Sequence, residues 1–123
     1  MNFVFVFLGG GLGSLCRYGI AAILNHYQLN LPIATLTANV ISCIILGLLS
    51  GMSLKEGLSD QQMLLWMTGF CGGFSTFSTF SAETFQLFEK GQYQTALLYI
   101  GMSLLMCMAS IGFGLFLSTY IHK

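Results

Sequence analysis

The residues 69–83, GFCGGFSTFSTFSAE, hold an unusual density of atoms that could do chemistry. Ser75, Ser78 and Ser81 recur every third position, as do Thr76 and Thr79, and as do Phe74, Phe77 and Phe80. Positions three apart are neighbours on a helix, so the pattern makes adjoining hydroxyl and aromatic stripes. A phenyl ring is negative on its face and positive at its edge. Ring edges and hydroxyl hydrogens together can therefore attract an anion without a fixed positive charge. Gly69, Gly72 and Gly73 stand just before the stripes. Glycine loosens a helix, and carbonyls exposed at a break would suit a hard cation such as Na⁺, which prefers oxygen ligands. The plainer alternative is that the hydroxyls bond their own helix backbone. These features point to an ion path and leave the ion unnamed.

The elements that must position this stretch follow from composition. Of the 123 residues 55% are hydrophobic and only 7% are charged, too few charges to cover a soluble globule. The chain reads as an all-α integral membrane protein whose solvent is the lipid bilayer. Four apolar segments, about 3–24, 33–53, 62–84 and 95–119, are each long enough for the ~20 residues a crossing needs, and together they make one four-span domain over 1–123. The third is expected to be a helix broken near its middle. Short connections join them, and Pro32 is well placed to start the second helix. The first segment lacks a basic leader and carries Arg17 near its far end, so it reads as a retained span and not a signal peptide.

Orientation follows the Lys and Arg balance of short loops. Lys55 and Lys123 fall on one side, Lys90 on the other. So slight a bias predicts insertion in both orientations and an antiparallel, dual-topology homodimer as the functional unit. Four helices leave little room for a water-filled path, and a second copy would supply the missing wall. Gly9 and Gly13, Gly47 and Gly51, and Gly69 and Gly73 are spaced for close helix approach, either between copies or inside one.

Several chemistries are excluded. There is no paired carboxylate, no Ser/His/Asp arrangement, no phosphate loop and no His/Cys metal set, so the chain is not read as an enzyme. Zero formal net charge and the lack of a basic cluster give no nucleic-acid partner. Cys16, Cys43, Cys71 and Cys107 stand singly in apolar runs and read as small core residues. The methionines read as packing, Trp66 as an interfacial anchor, and His26 and His122 as solvated.

Three stretches together resemble the CrcB/Fluc family of fluoride channels. GFCGGFSTFSTFSAE is similar to that family's third-helix break and TTFSTF-type run, GGGLGSLCRYG at 9–19 to its GGxxGxxxRY start, and ATLTANVISCIILG at 34–47 to its GTLxxN second helix. The resemblance spans the whole chain. Ala34 and Ser42 replace glycines usual there, and Ser75 replaces a threonine.

The resemblance implies roles. Phe77 and Phe80 would line each of two pores in the dimer. Asn39 would donate an amide hydrogen to the ion, or, on the plainer reading, only bind a neighbouring helix. The carbonyls of Gly72 and Ser75 would hold a structural Na⁺ at the dimer interface. Ser78, Thr79 and Glu83, with Tyr99 and Ser103, would border the rings as a polar track. Arg17 would raise the potential at a pore mouth or snorkel to headgroups. The implied function is passive fluoride export across a bacterial inner membrane, relieving fluoride toxicity. The alternative is a small dual-topology drug/proton antiporter. That class needs a titratable acid deep in a span, for which Glu83 is the sole substitute. A non-conducting assembly subunit is a third reading.

Overall fold

The computed structural model describes residues 1–27 and 31–121; Lys123 and His122, which bear on the topology and solvation expectations, lie outside the described residues. Helix α1 runs Asn2–Leu24 and α2 runs Ile33–Lys55. Pro32 is the residue just before α2, and its carbonyl accepts from the Leu36 amide at 3.2 Å, so it opens the helix as its fixed φ favours. A short α3, Asp60–Gln62, leads without a gap into a π-helical segment, Met63–Cys71, and then α4, Gly72–Phe74. Next comes α5, Phe77–Glu89, and last α6, Tyr93–Ile121.

The ends are set by local chemistry. Ser59 and Gln62 form a reciprocal cap: Ser59 Oγ accepts from the Gln62 amide at 3.2 Å, and Gln62 Oε1 accepts from the Ser59 amide at 3.0 Å. After α5, Gly91 takes φ 75°, and the Gln92 amide reaches back to the Leu87 carbonyl at 2.9 Å, closing a left-handed helix stop that glycine favours.

Helices α1, α2 and α6 are each long and apolar enough to cross a membrane by length and composition. The stretch expected as a single third span, 62–84, is divided. Helical structure stops at Phe74 and resumes at Phe77, because Ser75 and Thr76 are extended (ψ 156° and 122°). The chain is thus an all-α, multi-pass membrane protein.

Packing is built on glycine. A Cβ on Gly9 would strike the Leu65 carbonyl, and one on Gly13 the Phe70 carbonyl, so α1 lies directly on the π-helical segment. Gly73 in turn abuts the Gly10 backbone. Likewise α2 and α6 touch backbone to backbone, Gly47 against Ile111 and Gly114 against Ile44. All three small-residue pairs noted in the sequence therefore serve contacts within one chain, which is how helices associate where burial from water offers no drive. Where α2, α5 and α6 meet, Leu36, Leu87, Ala96 and Tyr99 form a core, with Phe80 packed against it.

Candidate functional site

The break at Ser75–Thr76 is the organising feature, and side chains from two other helices hold it open. In a continuous helix the Thr76 amide would donate to the Gly72 carbonyl and the Thr79 amide to the Ser75 carbonyl. Both donors are diverted. The Thr76 amide donates to Asn39 Oδ1 at 2.8 Å, and Asn39 Nδ2 donates back to the Thr76 carbonyl at 3.3 Å. The Thr79 amide donates to Thr76 Oγ1 at 3.2 Å, an N-terminal cap for α5. The carbonyls of Gly72 and Ser75 are left without their helical donors. Arg17 Nε donates to the Gly73 carbonyl at 3.2 Å. Ser42 Oγ, from α2, donates to the Cys71 carbonyl at 3.0 Å, and Ser75 Oγ donates to the same carbonyl at 2.8 Å.

Several expectations are refined by this geometry. Arg17 ties α1 to the broken helix, a contact that neither the potential-raising nor the snorkelling reading contains. Asn39 makes the interhelical hydrogen bonds of its plainer reading, and the second hydrogen of its amide stays available. Ser75 bonds its own helix, as the plainer reading of the hydroxyls holds, whereas Thr76 spends its hydroxyl on the new helix start. Among the described residues there is no group of three or more His, Cys, Asp or Glu side chains able to hold a metal. Any cation at the break would rest on carbonyl oxygens, a donor set that fits a hard, singly charged ion.

Beyond the break runs a line of rings. The centroids of Phe77 and Phe80 are 5.8 Å apart, those of Phe80 and Tyr99 5.1 Å, both pairs tilted. Phe80 is half-buried and Tyr99 buried, but Phe77 is 79% exposed. Ser78 beside it is also exposed, and its hydroxyl lies 3.2 Å from Thr76 Oγ1. One turn along α6 from Tyr99, Ser103 Oγ is buried with no hydrogen-bond partner among the described residues.

The rings lead to Glu83. Its Oε1 accepts from Thr35 Oγ1, and its Oε2 accepts from the Tyr99 hydroxyl at 3.4 Å. Glu83 and Thr79 then line an open cleft of about 540 Å³ between α5 and the facing ends of α1 and α2, with Thr35, Gln86 and Lys90 also on its wall. Thr79, Glu83, Gln86 and Lys90 are spaced four, three and four apart, so one face of α5 supplies the polar side of the cleft.

The sequence-level candidates Phe77, Phe80, Tyr99, Thr79 and Glu83 are thus contiguous, with Ser103 one turn from Tyr99. Asn39, Gly72, Ser75 and Arg17 gather at the break next to them. Sequence reasoning misses two participants. Thr35 lies one helical turn before Asn39 and faces the same way, a spacing visible in ATLTAN. The stripe pattern includes Thr76 only as one member, although threonine is a favoured residue type at the cap of a new helix.

A multi-pass helical protein with an interrupted helix and a polar, aromatic lane beside the interruption belongs to the class of membrane transport proteins in which irregular backbone at membrane depth lines a cavity. A family model described as "CrcB-like protein, Camphor Resistance (CrcB)" matches residues 4–115. The chain belongs to this CrcB family. Relatives named "Fluoride-specific ion channel FluC" include one from Pyrococcus furiosus, 46% identical over 97 residues and covering 77% of each chain. Another, from Klebsiella pneumoniae, is 41% identical over 116 residues and covers 90% of each. A third, from Escherichia coli, is 38% identical over 120 residues, covering 95% of this chain and 94% of the relative.

Proposed function

We propose that this protein is a fluoride-selective channel, passively exporting fluoride from the cytoplasm across a bacterial inner membrane. It works as an antiparallel homodimer of four-span subunits with two pores. The observation that carries the reading is the unbroken lane from Phe77 through Phe80 and Tyr99 to the Glu83 cleft, in a chain whose relatives bear the fluoride-channel name. A small anion gives up much hydration energy on leaving water, and the protein must replace it. Ring-edge hydrogens of Phe77 and Phe80, the spare amide hydrogen of Asn39, and the hydroxyls of Ser78, Thr79 and Ser103 are donors that suit fluoride and fit a larger halide poorly, while Tyr99, whose hydroxyl hydrogen goes to Glu83, offers its ring edge. The unpartnered buried hydroxyl of Ser103 supports this, since an unused buried donor normally signals a missing partner.

The two pieces of the divided stretch, 60–74 and 77–89, make the fourth crossing when taken together. The dimer follows from what one chain leaves open. Phe77, Ser78 and Gly72 are exposed on the broken segment, and the Gly72 carbonyl has lost its helical donor. Lipid cannot satisfy a hydroxyl and a free carbonyl. A second, inverted copy can cover them, and the carbonyls of Gly72 and Ser75 from both copies would then surround Na⁺ as a structural ion. Arg17 and Asn39 hold the break in the shape this requires.

The test is reconstitution into liposomes with efflux followed by a fluoride electrode and chloride as control. Passive fluoride release with chloride retained is expected. Release that demanded a proton gradient, or equal chloride release, would overturn the reading.

A further inference from the structure

Among the described residues, the wall of the open cleft carries two charged side chains, Glu83 and Lys90. They stand on one face of α5, seven residues apart in sequence, which is about two turns and roughly 10 Å of helix rise. Glu83 is half-buried, and its two carboxylate oxygens accept from Thr35 and Tyr99. Lys90 is exposed and closes α5: its amide donates to the Gln86 carbonyl at 3.0 Å, and Gly91, at φ 75°, turns the chain away. The backbone beneath Lys90 is thus fixed, and its side chain lies at the water end of the polar face that runs inward through Gln86 and Glu83 to Thr79. Arg17 is not on this wall, because its Nε is tied to the Gly73 carbonyl at the break. An ion entering from water therefore meets Lys90 first and Glu83 later. An ionised Glu83 repels an incoming anion, and a cation two turns further out offsets that field at the point of entry.

We propose that Lys90 makes the outer half of the cleft an anion-capture subsite, which gathers hydrated fluoride at the mouth and passes it to the ring lane. The inference rests on the fluoride-channel reading. The subsite acts by charge and leaves the ion its water, so it sets how fast fluoride enters and not which halide passes. A unit charge roughly 6 Å from an anion in water raises the local anion concentration about threefold. With the ~8 Å screening length of physiological salt the gain falls below about twofold.

The experiment measures initial fluoride efflux from liposomes holding the full-length protein, at low-millimolar fluoride and at ionic strengths of about 10 mM and about 300 mM. Lys90→Gln should slow efflux about threefold at the lower ionic strength and less than twofold at the higher, and Lys90→Arg should keep the native rate. Lys55→Gln removes the same charge from the far end of α2, outside the cleft, and should change nothing. The sign of the charge is tested on Lys90→Cys, modified in micelles before reconstitution with either a trimethylammonium or a sulfonate methanethiosulfonate and compared with wild type treated alike. The cationic adduct should restore efflux and the anionic one should depress it, leaving them roughly six- to tenfold apart at low ionic strength. Equal rates for the two adducts, a native rate in Lys90→Gln, or equal slowing in Lys55→Gln would overturn the proposal while fluoride transport by wild type stands. Wild-type vesicles that release no fluoride would overturn the channel reading and this subsite with it.

Discussion

Replacing Asn39 by alanine tests the mechanism of the break directly. Asn39 is the acceptor for the Thr76 amide at 2.8 Å and the donor to the Thr76 carbonyl at 3.3 Å. Stripping a partner from a buried backbone group costs about 1–3 kcal/mol. The shorter bond belongs at the upper part of that range and the longer, weaker one at the lower, giving about 2–4 kcal/mol for Asn39→Ala. One escape exists. The freed Thr76 amide can swing to the Gly72 carbonyl, recovering part of the loss by continuing the helix through the break. That route closes the carbonyl the proposed Na⁺ needs and turns the Phe77–Phe80 rings away from Tyr99. Either way fluoride efflux falls to the protein-free leak, while the stability change is large if the break persists and small if it heals. Unfolding in mixed micelles gives the first number and a fluoride electrode on liposomes the second. A variant that conducts at the native rate with less than about 0.5 kcal/mol of lost stability would refute the claim that Asn39 holds the helix open.

Four further outcomes are expected. Phe80→Ile abolishes fluoride efflux while the protein remains folded and dimeric; undiminished flux would remove Phe80 from the path. Ser103→Ala deletes a buried hydroxyl that has no partner among the described residues, so stability in denaturant stays level or rises while efflux drops; a fall in stability with normal efflux would make Ser103 a packing residue only. Gly47→Ala drives a methyl into the Ile111 carbonyl and destabilises by about 1–3 kcal/mol, measured by micellar unfolding; Gly112→Ala, which meets no atom within 4 Å, is the control and leaves the α2–α6 contact intact. Lys55→Cys and Lys90→Cys, labelled in intact cells with an impermeant maleimide, each react in part from both sides of the membrane; a uniformly one-sided pattern defeats dual topology.

Much of this arrangement is legible in the chain because lipid makes hydropathy a strong signal. Helices α1, α2 and α6 begin and end within two residues of the apolar segments read from composition. For the third segment hydropathy gives the place but not the form. It is indifferent to whether a backbone is α-helical or π-helical, so nothing marks Met63–Cys71 as the wider helix. The glycines suggest a break among themselves, whereas it lies two residues past them, at Ser75–Thr76. Flexible residues permit a break, but competing acceptors decide where it falls, and those acceptors are Asn39 and Thr76. The Asn39 contact joins residues 37 apart in sequence, beyond the reach of any local pattern. The Thr35–Glu83 and Tyr99–Glu83 bonds are hidden for the same reason.

That distinction explains why hydroxyls, glycines and phenylalanines crowd the same stretch of a largely apolar chain. An interrupted helix in lipid leaves carbonyls before the break and amides after it without helical partners. Here the Thr76 and Thr79 amides are taken by Oδ1 of Asn39 and Oγ1 of Thr76, both neutral, so the segment gains no fixed negative charge. Aspartate at position 39 could accept from the same amide but would place a carboxylate beside the proposed fluoride lane and against the Thr76 carbonyl. The freed carbonyls are the one surplus of electron density left at the break, and a cation bound there would cancel it. A neutral amide at 39 is therefore what an anion path beside a broken helix requires. An Asn39→Asp protein that exported fluoride at the native rate would show that the charge at this position has no bearing on passage.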